Sequence, residues 1–188
     1  KALKIIKLYT NQNSLIKKAI QNNRAAQKQL FDQHSPKMLG VCRQYVKDLH
    51  HAEDLLLKGF LKVFTNLHTF KNEGSFEGWI RRIMVNTCIS HLRKKNIIDL
   101  SDEDFVFNAA ATDNLENTTV NDIQKLIDAL PDGYRVVFNL FAIEGYKHSE
   151  IAKKLKISES TSKSQLFKAR KLLQYNYHKM NTRIHENK

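Results

Sequence analysis

The sequence predicts an all-α protein of two small helical domains joined by an acidic flexible linker, the second domain containing a helix-turn-helix. Three observations lead there. Glycine and proline are scarce, six and two in 188 residues. Long stretches repeat apolar residues at helical spacing, and none alternates apolar with polar residues for long enough to demand a sheet. Between Ile97 and Gln124 there are seven acids and no Lys or Arg, and downstream two short helical patterns flank a tight turn within Gly145 to Leu173. The domains are expected at 1–96 and 120–180, with the linker at 97–119 and a tail at 181–188.

In chain order, a basic lead-in precedes Ser14, placed to cap a helix with Leu15, Ile16 and Ile20 inward that continues through Ala25, Leu30 and Phe31. Ser35-Pro36 is expected to restart the chain, because proline at the first helical position loses nothing by lacking an N–H. Met38, Leu39, Val41, Cys42, Tyr45 and Val46 form the next stripe. A third helix from Ala52 to Leu67 turns Leu55, Leu56, Phe60, Val63 and Phe64 inward and leaves Leu57 and Leu61 over. The polar loop Thr69 to Ser75 leads to a helix from Phe76 to Lys95. Its inner stripe is Trp79, Ile80, Ile83, Met84, Thr87, Cys88 and Leu92, and it grows basic toward its end. Trp79 reads as core, although an aromatic-flanked loop feeding a basic helix also suits single-stranded nucleic acid.

From Ile97 to Val120 the periodicity dissolves into a flexible linker. A second helical domain begins near Val120, with Ile123, Leu126, Ile127 and Leu130 at helical spacing, then a break at Pro131-Asp132-Gly133. Val136, Val137, Leu140, Phe141 and Ile143 precede the helix-turn-helix. There Ile151, Ala152 and Leu155 face inward, Ile157 fills the turn and Ser158 caps the second helix. On that helix Ser162, Leu166, Ala169 and Leu173 share the buried side, whereas Ser160, Thr161, Ser164, Phe167, Lys168 and Lys171 share the other. Small hydroxyls followed by bases suit a helix that meets base edges first and phosphates later. Phe167, unsuited to a merely solvated face, is placed to touch a thymine methyl. The tail after Tyr177 is expected to fray.

The formal charge is +12, and its distribution says more than its sum. Outside the acidic stretch the chain carries all 31 Lys and Arg, which favours polyanionic partners through counterion release. Cys42 and Cys88 lie in separate apolar stripes, which fits a reduced, cytoplasmic chain. No run approaches the length of a membrane span, and the lysines of KALKIIKLYT interrupt what would otherwise be a signal-peptide core. No phosphate loop, nucleophile elbow or metal cluster is present, so neither an enzyme nor a cofactor is expected. Adjacent His50 and His51 point apart on a helix, so with Glu53 they make a turn and cap region and not a metal trio.

The residues AEDLLLKGFLKVFTNLHTF and GSFEGWIRRIMVNTCISHLRKK resemble region two of the extracytoplasmic-function sigma factors. ALPDGYRVVFNLFAIEGYKHSEIAKKLKISESTSKSQLFKARKLL resembles their region four, and the likeness is nearest to Bacteroidetes-type members. The resemblance implies a bacterial initiation factor that binds core RNA polymerase at its clamp helices and flap, opens the minus-10 element with its first domain and reads minus-35 duplex with its second. Carried over, Asn86 matches the position lining a pocket for a flipped minus-10 base, Phe70 the loop closing over it, and Arg82, Arg93 and Lys94 positions near the DNA backbone. Thr161, Lys163, Ser164, Gln165, Phe167 and Lys168 match the minus-35 segment.

Asp54, Leu57, Lys58 and Leu61 fall on the surface expected to grip polymerase. Leu57 and Lys58 stand where the family usually has Gln-Glu, which reverses the local sign of charge and re-tunes docking. The resemblance also implies an anti-sigma partner and, with no dimer seam evident, a monomer. The rival readings are a stand-alone helix-turn-helix transcriptional regulator and a helical adaptor for acidic proteins.

Overall fold

The computed structural model describes residues 12–94 and 120–186. Every regular element among them is helical. The proposed linker lies outside the described residues, as do the basic lead-in through Asn11 and the last two residues of the tail. The described residues form two compact units, one of 12–43 and 48–87, the other of 44–47, 88–94 and 120–186.

In the first unit, α1 (Gln12–Ile20) and α2 (Arg24–Tyr45) are separate helices where one continuous helix was expected. Asn22 takes the left-handed conformation at φ 60°, and Asn23 accepts the Ala26 N–H at 3.0 Å, starting α2 afresh. Ser14 therefore lies inside α1 and does not cap it. Ile20, at the end of that helix, is 40% exposed, so only Leu15, Ile16 and Ala19 face inward.

The expected restart at Ser35-Pro36 does not occur, because α2 runs through Pro36. A helical proline forfeits one backbone hydrogen bond, but Leu30, His34, Met38 and Val41 bury one continuous face across the site. That packing holds the helix together. His34 meets Phe76 edge-on at 5.5 Å, and burial lowers its pKa from the ordinary value.

Helix α3 (Leu49–Thr65) begins three residues before its expected start, because Asp48 accepts the His51 N–H at 2.8 Å and caps it. That hydrogen bond is the main cause holding the Asp48 carboxyl below its ordinary pKa. Ala52, Leu55, Leu56, Gly59, Phe60 and Val63 are its buried side. A 3-10 turn (Leu67–Thr69) follows. Ser75 then starts α4 (Phe76–Lys94), accepting the Trp79 N–H through its carbonyl at 3.0 Å. The inner side of α4 is wider than expected, since Val85 and Ile89 are buried as well.

In the second unit, α5 (Val120–Asp128) turns Ile127 inward, whereas Ile123, expected inside, is 58% exposed. The break falls before Asp132: Pro131 precedes α6 (Asp132–Phe138), and Asp132 and Gly133 already belong to that helix. A π-turn (Asn139–Ile143) ends it. Gly145, at φ 74°, then redirects the chain into α7 (His148–Leu155). Lys156 occupies the left-handed conformation at the turn, and α8 (Glu159–Glu186) follows. The segment expected to fray is part of α8, with Met180 buried. Leu130, Tyr134 and Ala169 form a core cluster joined by Phe138, Leu172 and Leu173.

Candidate nucleic-acid interface

Helix α4 carries a polar face. Arg82, Asn86 and Arg93 recur at four and seven residues, which puts them on one side of a helix, and all three are exposed, as is Lys94. Phe70 comes to the N-terminal end of α4 from the loop before it. Its ring centroid lies 5.0 Å from that of Phe76 and 5.6 Å from that of Trp79, while Phe76 and Trp79 stack at 5.9 Å. Phe76 is buried, and Trp79 and Phe70 are half-buried.

Trp79 is thus not plain core. It bridges the interior and the polar face, seven residues or about 10 Å along the helix from Asn86. The seven-residue spacing was the available signal. The loop that carries Phe70 is shaped by left-handed Asn72 and Gly74.

Asp54, Leu57, Lys58 and Leu61 form a second exposed stripe, on α3 at intervals of three, one and three residues. Leu57 is 58% exposed and Leu61 69%. The stripe lies opposite the buried side of its helix, so core packing gives no reason for these leucines.

In the second unit Ser158 acts as the predicted cap, its Oγ accepting the Thr161 N–H at 2.9 Å. The Ser158 hydroxyl also meets those of Ser160 at 2.7 Å and Thr161 at 2.8 Å, and Ser164 donates to the Thr161 carbonyl at 3.0 Å. The first turn of α8 is therefore an ordered patch of hydroxyls. Lys163 is exposed beside it, Lys168 is half-buried one turn later, and Phe167 is 59% exposed. The Lys171 ammonium sits 4.7 Å above the Phe167 ring, a cation–π contact that covers one face of an otherwise wet aromatic.

Gln165 stands apart from the other five. It is 5% exposed, so here it does not present itself to a duplex. A helix wheel placed it on the flank of the exposed face; packing turned that flank inward.

Sequence reasoning also missed His148, whose Nδ1 meets the Ser162 hydroxyl at 2.9 Å. Among the described residues no cluster of His, Cys, Asp or Glu is arranged to hold a metal ion, and no helix is long and apolar enough to cross a membrane.

Two exposed polar faces, one on α4 and one on α8, coincide with two family signatures. The sigma-70 region 2 model matches residues 30–97, and the sigma-70 region 4 model matches residues 121–173. The chain is 30% identical over 142 residues to RNA polymerase sigma factor SigZ of Bacillus subtilis (strain 168), covering 75% of this chain and 81% of that protein. It is 28% identical over 183 residues to the ECF RNA polymerase sigma factor SigW of the same organism, covering 85% and 95%. The chain belongs to the ECF sigma factors of the sigma-70 family.

Among solved structures, the sigma factor RpoE in complex with the anti-sigma factor NepR from Bartonella quintana is similar at a TM-score of 0.48 and 22% identity, covering 79% of this chain and 94% of that one. As an alternative sigma factor this protein directs RNA polymerase to promoters. Region 2 contains the α3 stripe, Phe70 and the α4 face; region 4 contains the helix-turn-helix.

Proposed function

We propose that this sigma factor divides promoter recognition between its two polar faces, region 4 reading minus-35 duplex through α8 and region 2 capturing unstacked minus-10 bases along α4. The observation that carries the reading is the α4 face itself. A half-buried aromatic pair, Phe70 and Trp79, leads into an exposed Asn86 flanked by Arg82 and Arg93. Unstacking a base costs a few kcal/mol, and aromatic stacking plus hydrogen bonding to the exposed base edge offsets it.

Arg82, Arg93 and Lys94 serve the phosphates of the same strand. On α8, Thr161, Lys163, Ser164, Phe167 and Lys168 face the upstream duplex, and Gln165 supports them from beneath. Asp54, Leu57, Lys58 and Leu61 dock on the polymerase clamp, with an apolar and a cationic group where relatives of this type usually carry Gln and Glu. An anti-sigma partner competes for the same exposed leucines. The protein acts as a cytoplasmic monomer of the Bacteroidetes type, with no catalytic step or cofactor of its own. Its acidic linker follows a path that nucleic acid would otherwise take.

Reconstituted transcription with bacterial core polymerase across a promoter library tests this reading. Promoter-specific transcripts are expected, and Asn86→Ala is expected to impair open-complex formation more than closed binding. Equal loss in both would contradict strand capture by Asn86. Sequence-specific promoter binding without polymerase, and no transcripts with it, would favour a stand-alone regulator. Neutralising Asp102, Glu103 and Asp104 without effect on initiation or promoter escape would remove the linker's role.

A further inference from the structure

The second unit contains a part-buried polar link that the duplex-reading residues do not use. Ser162 lies on the buried side of α8 at 0% exposure, between Thr161 and Lys163, two residues assigned to the duplex. A hydroxyl on the buried side of a helix, the side that also carries Leu166 and Ala169, is destabilising unless it is hydrogen-bonded. Its side-chain partner is His148 Nδ1 at 2.9 Å, on the first residue of α7.

The imidazole is in turn held from its flat side. It stacks on Phe141 of the π-turn at 4.7 Å and 25° between planes, and the Arg170 guanidinium of α8 lies 5.5 Å from the same Phe141 ring. Three elements thus meet through one imidazole.

We propose that His148 is a positioning residue for duplex recognition: by holding Ser162 it fixes the rotation of α8 about its own axis, and so aims Thr161, Lys163 and Ser164. This rests on the reading that α8 contacts minus-35 DNA. The apolar contacts of Leu166 and Ala169 press α8 against its unit, and the attraction behind them is non-directional. A hydrogen bond between two fixed atoms is directional. Side-chain tips on a helix lie about 5–6 Å from its axis, so a rotation of about 20° carries a tip about 2 Å. That displacement takes a hydroxyl or ammonium out of hydrogen-bonding range of a base edge. Selectivity among upstream sequences is therefore more sensitive to this link than folding is.

The test uses the full chain with bacterial core polymerase and a promoter library randomised in the upstream element, read by sequencing transcripts, with thermal unfolding of each variant alongside. His148→Phe keeps the stacking and removes the hydrogen bond; Ser162→Ala removes the hydroxyl; His148→Asn returns a polar atom near the place of Nδ1. Each of the first two is expected to reduce preference for the best upstream sequences by about threefold to tenfold, the range for loss of one hydrogen bond. The double variant is expected to be no worse than either single, and His148→Asn to recover most of the preference. Wild-type selectivity in a folded His148→Phe or Ser162→Ala protein would overturn the proposal, as would additive losses in the double variant. Should His148→Phe fail to fold, Ser162→Ala decides between the same outcomes. A wild type with no upstream preference would overturn duplex reading and this role with it.

Discussion

Gly59→Ala tests how closely α3 and α4 approach. A Cβ built at Gly59 would collide with Met84 Sδ and stand 2.9 Å from Met84 Cε. Ordinary contacts lie near 3.5–4.0 Å, so the sulfur would have to retreat by more than ~1 Å. The atoms in the way are the far end of a flexible but buried side chain, so the cost depends on how far Met84 can swing aside within the core.

Two effects oppose each other. Alanine gains about 1 kcal/mol of helix propensity over glycine, while overpacking a filled core costs about 1–3 kcal/mol. The net expectation is a loss of roughly 0–2 kcal/mol, each kcal/mol being a fall in Tm of roughly 4–8 °C for a domain of this size. Met84→Ala changes the sign: with the sulfur removed, the same Gly59→Ala step is expected to be neutral or to stabilise by up to ~1 kcal/mol. The coupling between the two sites is therefore about 1–3 kcal/mol. Urea unfolding, followed by helicity and by the fluorescence of Trp79, the single tryptophan, measures all four proteins. A more stable Gly59→Ala protein with Met84 in place, or an equal effect in both backgrounds, would refute the close-packing argument.

Three further outcomes are expected. Because burial lowers the pKa of His34 from its ordinary 6.5, the unfolded chain takes up a proton that the folded chain refuses. Stability is therefore complete above that value and falls as pH drops below it; thermal unfolding between pH 7.5 and 5.5 should show the slope, and His34→Leu should flatten it. Ser158→Ala removes the cap of α8 and is expected to cost about 1 kcal/mol in the second unit, measured by denaturant midpoint; unchanged stability would mean that the Thr161 N–H finds another acceptor. Lys168→Ala is expected to weaken upstream recognition and to reduce the salt dependence of binding by about one charge, leaving strand opening intact; an equal defect in opening would contradict the division of labour between the two regions.

Much of the candidate site was legible because it follows helix geometry. The capping role of Ser158, the buried stripe through Ser162 and Leu166, and the outward Leu57 and Leu61 all come from spacing within one helix, where 3.6 residues per turn determines which side chains are neighbours. Spacing fails where another element decides. Gln165 is polar, and its wheel position permitted exposure, yet its neighbours bury it. Trp79 looked like core because it is apolar, whereas its stacking with Phe70 and Phe76 leaves it half open. Pro36 looked like a helix start because local chemistry favours one, and the buried face on either side of it carried α2 through.

The sequence by itself determined the helical class, the acid-only stretch between two basic regions and the two family signatures, since periodicity, charge and local capping reside in the order of residues. Only the tertiary structure decided which polar residues meet. His148 and Ser162 are fourteen positions apart, and Phe141, in the π-turn, precedes both with a left-turning glycine between. No periodicity connects them. Their contact exists because two helices and a turn pack around one buried hydroxyl, and that requirement appears only once the chain has closed on itself.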